Sequence, residues 1–179
     1  MRLPAIDHPR RTLVAALAAC PLLAGCASAA RRGQLAPDDQ VLALRAAGLG
    51  LYELAAGQLA QAHAQRADLQ AFGRLLVEHH GAANAALLGL LQARSIAPRA
   101  TLPAYLERRL ASLQPGAEGF DQRFVPIAGL QDQERLVALH EDAGVAVIDT
   151  ALRRWFSGQL PALRSHLAVA RSLAAAPAA

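Results

Sequence analysis

Between residues 67 and 91 apolar and small side chains recur at steps of three and four: Leu69, Gly73, Leu76, His80, Ala83, Leu87 and Leu90. That spacing keeps residues on one face of a helix. It predicts a long helix from Asp68 to about Arg94 with a histidine on its core-facing line. An unpaired polar group on such a line costs on the order of 1–3 kcal/mol, so His80 requires a partner. Three further segments carry the same period. Gln40 to Gln65, opened by Pro37 and Asp38-Asp39, has the line Ala46, Gly50, Glu53, Gly57, Ala60. A third helix from about Gly119 to Ala143 has Val125, Ala128, Asp132, Leu136, Leu139, Ala143, and Pro126 predicts kinked or irregular first turns. The fourth, capped by Asp149 and running to about Ala174, has Leu152, Phe156, Gln159, Leu163, His166, Ala170, Leu173, with a bend expected at Pro161. Each line thus holds a carboxylate or an imidazole.

The connections set the architecture. A tight turn is placed at Arg66–Asp68, with Asp68 capping the second helix. From Ser95 to Gly119 the period breaks at Pro98, Pro103, Pro115, Gly116 and Gly119, around a short helix from Pro103 to Leu113. The prediction is an all-α fold: an up-down four-helix bundle of two helical hairpins joined by a crossover with a short helix. Glu53 and His80 are equidistant from the first turn, and Asp132 and His166 from Asp149. Each hairpin is therefore expected to bring one carboxylate and one histidine to a common level.

Composition agrees with helices. Hydrophobic residues make up 54% of the 179 and aromatics only 4%, so the apolarity comes from Ala and Leu, which favour helix, rather than from strand formers. The N-terminus reads as an export signal over residues 1–25. Arg2, Arg10 and Arg11 precede an apolar stretch from Thr12 to Gly25, and Leu23-Ala24-Gly25-Cys26 has the form of a bacterial lipobox whose cysteine would be lipidated. Leu17-Ala18-Ala19-Cys20 is set aside because Pro21 follows and Leu22-Leu23 would remain on the mature end. The alternatives are an ordinary cleaved signal with an incidental Cys26 and, from Arg10-Arg11, a twin-arginine route. The expected domains are a lipoprotein signal (1–25), a tether (26–36), the bundle (37–175) and a tail (176–179). Ala27 after Cys26 points to the outer membrane and the periplasmic face of the cell envelope.

All eighteen basic residues are Arg. Without residues 1–25 there remain fifteen Arg against thirteen acids, a net of +2. They form no dense run and no aromatic interleaving, so nucleic acid is not an expected partner. Cys26 would be the only mature cysteine, which leaves no disulfide framework and no Cys-rich zinc site. The expected membrane contact is the lipid anchor; no protein partner is legible.

At these residues the chain resembles the domain of unknown function 4142 family, exported bacterial proteins often labelled predicted outer-membrane proteins and similar in fold to ferritin-like bundles. The resemblance runs from about Val41 to Leu173. Its motifs here are Gly50, Glu53, Gly57 and Ala60; Phe72, His80 and Asn84; Leu102-Pro103; Phe120-Asp121 with Phe124; and Leu160, Pro161, Leu163, His166, Leu167, Ala170. The chain departs from the family pattern where His79 replaces an Asp, Gln131-Asp132 an Asp-His, and Leu76 and Ala128 methionines. The resemblance implies the fold and export, and no reaction.

Glu53, His80, Asp132 and His166 are the candidate site. They form either a mixed carboxylate/imidazole metal site, suited to Fe, Zn or Mn, or a buried polar layer in which the carboxylates accept from the imidazoles. No Glu-x-x-His pair, nucleophile elbow or phosphate loop is present, so no catalytic residue is named. His79 and Glu78 are read as flanking or solvated, His63 and His140 as surface residues near helix ends, and Trp155 as a core anchor. The sequence reading is a lipid-anchored envelope bundle of structural or interaction type, with a metal-binding or redox/stress-protective ferritin-like bundle as the alternative. A small-ligand binder using the Ala/Gly interior is a third.

Overall fold

The computed structural model describes residues 34–98, 100–114 and 119–176. The expected export signal, Cys26, most of the expected tether and residues 177–179 lie outside the described residues. Within them the chain is all-helical, with five helices and no strand. Helix α1 spans Pro37–His63 and α2 Ala67–Gln92. The short α3 spans Ala104–Ala111. A continuous helix over 120–146, α4, is α-helical over Phe120–Phe124, π-helical over Val125–Gln131 and α-helical again over Asp132–Ala146. Helix α5 spans Thr150–Ala175 and runs through Pro161. None of these helices is long and apolar enough to cross a membrane.

Local chemistry explains the ends. Pro37 occupies the first turn of α1, where its missing N–H would have no partner anyway. The Asp149 carboxylate accepts from Leu152 N at 2.9 Å and caps α5. Irregularity in the third long helix takes the form of the π turns, which contain Pro126. A proline ring crowds the preceding turn and donates no hydrogen bond, and a wider turn accommodates both. Beyond it the buried face broadens to Asp132, Gln133, Leu136, Leu139 and His140.

Two acids at helix starts, Asp39 and Asp121, work across the molecule rather than on their own helices. Asp39, 3% exposed, accepts from Ile148 N at 3.0 Å and Asp149 N at 2.8 Å, closing the turn between α4 and α5. Asp121, at the start of α4, accepts from Gln65 N at 3.1 Å and Arg66 N at 3.0 Å, closing the turn between α1 and α2. Asp68 does not cap α2 as expected; it lies inside the first turn, pairs with Arg66 and takes the Leu69 N–H. Arg94 grips Asp149 at 2.7 and 2.8 Å and ties the end of α2 to the cap of α5.

α1 and α2 pack closely because both carry glycine at the contact. A Cβ on Gly57 would stand 2.8 Å from the Gly73 carbonyl oxygen, and one on Gly73 2.7 Å from that of Gly57. The crossover helix docks on α1 through Pro103 against Gly48 and through buried Leu106. Two apolar clusters result. One gathers Tyr52, Phe72, Leu76, Phe120, Phe124 and Ala170; the other gathers Leu35, Ala43, Leu87, Leu91, Leu152 and Phe156. Along α2 the interval between them holds His80 and Asn84, along α4 Asp132 and Gln133, and along α5 Gln159 and His166.

Candidate functional site

All four candidates are interior: Glu53 0%, His80 4%, Asp132 4% and His166 1% exposed. They do not form one mixed cluster. The carboxylates and imidazoles sort into two groups.

Asp132 is held by three side chains. Tyr52 Oη donates to Oδ2 at 2.7 Å, and Arg109 Nε donates to Oδ1 and Oδ2 at 2.7 and 2.9 Å. Arg135 approaches Oδ1 at 3.4 Å from the surface. Arg109 comes from the crossover helix α3 and also donates to Gln131 Oε1 at 3.2 Å. Glu53 Oε2 accepts from Gln133 Nε2 at 2.8 Å, while Glu53 Oε1 and Gln133 Oε1 are both buried without partners. Burial, and then the charge of Asp132, raise Glu53 well above the ordinary carboxyl value, against the Gln133 hydrogen bond and Arg109. A protonated Glu53 carboxyl is therefore the favoured form, and it supplies a donor in a pair of groups that otherwise has two spare acceptors. Burial and then Asp132 likewise raise Tyr52 and keep its phenol a donor.

The imidazoles meet one another instead. The ring centres of His80 and His166 are 5.5 Å apart, those of His79 and His166 4.9 Å, and those of His79 and His80 6.1 Å. Buried His80 Nε2, His166 Nδ1 and His79 Nδ1 have no hydrogen-bond partner, nor has the Asn84 amide nitrogen. Burial, then His166, His79 and His140, push His80 down to about 3. Burial, then His79, push His166 down to about 4. These rings are neutral at neutral pH.

The expectation that Glu53 and Asp132 accept from His80 and His166 is thus corrected. Tyr52 and Arg109 occupy Asp132, and Gln133 occupies Glu53, so the imidazoles are left to their own kind. As the side chains stand, no three His, Cys, Asp or Glu among the described residues converge as metal ligands. His140 is a second correction. It is 4% exposed rather than at the surface, with Nδ1 2.9 Å from the Leu136 carbonyl and its ring against Trp155 and Phe156. It follows Asp132 and Leu136 at steps of four and so shares their buried face. His79 is half-buried and part of the imidazole group, whereas Glu78 is exposed. His63 is half-buried against Phe120. Trp155 packs on the second apolar cluster and donates to the Ala83 carbonyl at 3.3 Å.

A cavity of about 10 Å³, room for one water-sized atom, is lined by His79, His80, Asn84, His140 and Gln159 among others. Asn84 reaches it because Gly50 has no side chain; a Cβ there would collide with the Asn84 amide. A wider apolar groove of about 580 Å³ runs along Ala47, Leu51, Leu88 and Ile96.

Three residues here escaped the sequence reading: Arg109, Tyr52 and Gln133. The last two adjoin Glu53 and Asp132 in sequence, and that adjacency was the available signal. Arg109 left none, because nothing in a short amphipathic helix says which face meets which carboxylate.

Searches among proteins of curated function and among solved structures return no match. The family model described as Domain of unknown function (DUF4142) matches residues 24–173. Over most of its length, and including every residue of the polar interior just described, the chain belongs to the DUF4142 family.

Proposed function

We propose that the protein is a lipid-anchored, exported helical bundle of the ferritin-like, up-down four-helix kind, held at the periplasmic face of the outer membrane through Cys26, with a structural or interaction role and no catalysis. The observation that carries the non-catalytic reading is the commitment of the interior carboxylates. Asp132 is paired with Arg109 and accepts a hydrogen bond from Tyr52, and Glu53 accepts one from Gln133. To act as a base or ligand, Asp132 would first have to give up its ion pair with Arg109, and Glu53 its hydrogen bond from Gln133. The anchor rests on Leu23-Ala24-Gly25-Cys26 and the apolar segment before it. Metabolic labelling with a palmitate analogue tests it. Label that survives Cys20→Ser and disappears with Cys26→Ser supports the anchor; an unlabelled protein in the soluble periplasmic fraction contradicts it.

The second reading, a metal-binding or redox bundle, is favoured by one observation: the unpaired, buried imidazole nitrogens of His79, His80 and His166. Of the metal sets expected from sequence, it retains the two histidines and gives up the carboxylates.

A further inference from the structure

Three imidazoles within about a ring's length of each other, with buried and unpaired nitrogens, need an explanation that packing does not supply. A buried nitrogen without a partner costs on the order of 1–3 kcal/mol, and here there are three. Apolar side chains would fill the same space without that cost. The spacing is informative. Two imidazoles bound to one ion through bonds of about 2.0–2.1 Å have ring centres roughly 5–5.5 Å apart. The observed centres are 4.9, 5.5 and 6.1 Å apart. The His80–His166 separation lies in that range, with His79–His166 just below it and His79–His80 above it. What is missing is aim: the rings do not yet point at one focus, and rotation about the soft sp³–sp² torsion of each histidine supplies it. The small cavity on the His79 and His80 side gives a ring or a solvent ligand room to move.

We propose that His79 and His80 of α2 and His166 of α5 form a binding site for a single transition-metal ion, with cuprous copper the favoured occupant. The donor set is all imidazole nitrogen. No carboxylate is among the charges acting on His80 or His166. An ion entering here keeps its full charge, and burying one charge costs far less than burying two. Imidazole suits copper and zinc alike, so charge decides for the monovalent ion. His166 is boxed in by the edge of Phe72, with ring centres 6.4 Å apart at 88°, which keeps that flank dry. The proposal deepens the second reading above; the lipid-anchored structural reading stands or falls separately, on the Cys26 label.

The test uses the full chain purified untagged and without chelator. Cu(I) is titrated anaerobically against a chromophoric chelator, with Zn(II) in a parallel series, and X-ray absorption is recorded on the copper-loaded protein. One equivalent of Cu(I), bound at least about 10-fold more tightly than Zn(II), with a nitrogen-only imidazole shell, is expected. Affinity should fall about 100-fold with His80→Ala or His166→Ala and about 10-fold or more with His79→Ala. Binding should survive His63→Ala, which removes a histidine outside the cluster, and Glu53→Gln. Circular dichroism confirms that each variant is folded, and His166→Gln replaces any that is not. Sub-stoichiometric binding, preference for zinc, oxygen donors in the absorption spectrum, or loss with Glu53→Gln or His63→Ala overturns the proposal.

Discussion

Arg109 reaches from the crossover helix to place Nε 2.7 Å from Oδ1 of Asp132, a carboxylate only 4% exposed. The segment joining the two long pairs of helices therefore supplies the countercharge for their interior. Arg109 is itself 22% exposed, so the pair is partly solvated. Removing the guanidinium leaves a buried negative charge with only the Tyr52 hydroxyl and the distant Arg135. Arg109→Met should cost about 2–4 kcal/mol, read as a lowered urea midpoint with an unchanged slope. Arg109→Met with Asp132→Asn should recover much of the loss.

Gly57 and Gly73 should tolerate no methyl group. A Cβ on either meets the other's carbonyl at under 3 Å, so alanine must push α1 and α2 apart, costing about 1–3 kcal/mol. Gly89 and Gly158, with nothing within 4 Å of a Cβ, are the matched controls. Alanine at those exposed helical positions should stabilise by about 0.5–1 kcal/mol. Thermal melts of the four single variants check both signs.

Stability should depend on pH with opposite signs from the two polar groups. His80 and His166 have folded values of about 3 and about 4 against an ordinary 6.5. Between those limits the unfolded chain binds more protons, so their contribution is full above 6.5 and is lost as pH falls towards 4. Glu53 is raised above its ordinary 4.5, so its contribution is full below 4.5 and is lost as pH rises through the raised value. A dome results. Urea unfolding across pH 4.5–8 should show Glu53→Gln flattening the alkaline side and His166→Asn reducing the acid slope.

The two aspartate clamps should act independently. Asp39 and Asp121 bind turns at opposite ends of α1, about 40 Å apart along a helix of 27 residues. Asp39→Ala and Asp121→Ala should each cost about 1–2 kcal/mol, and the double variant should cost the sum within about 0.5 kcal/mol. Denaturant midpoints of the three variants measure this.

Periodicity made the five helices readable, together with the burial of Glu53, His80, Asp132 and His166, because a three-and-four spacing is a local property of the chain. The capping role of Asp149 was readable for the same reason. What the pattern does not encode is which polar group meets which. Arg109 finds Asp132 only once the crossover has docked. Asp39 stands where it would serve its own helix and closes a far turn instead, as Asp121 does. His140 looked superficial because it stands near a helix end, yet it follows Asp132 and Leu136 at steps of four, the spacing that keeps residues on one buried face. His79 follows from the same blindness, since a neighbour one residue along a helix points elsewhere until a third side chain, His166, bridges the angle.

The interior polar residues are sorted, Asp132 to guanidinium and phenol, imidazole to imidazole. A pair of double-mutant cycles on Asp132, one with Arg109 and one with His166, tests this sorting most directly. A coupling of about 1.5 kcal/mol or more is expected for Arg109 with Asp132, and one within about 0.3 kcal/mol of zero for Asp132 with His166. A strong Asp132–His166 coupling beside a negligible Arg109–Asp132 one would contradict it.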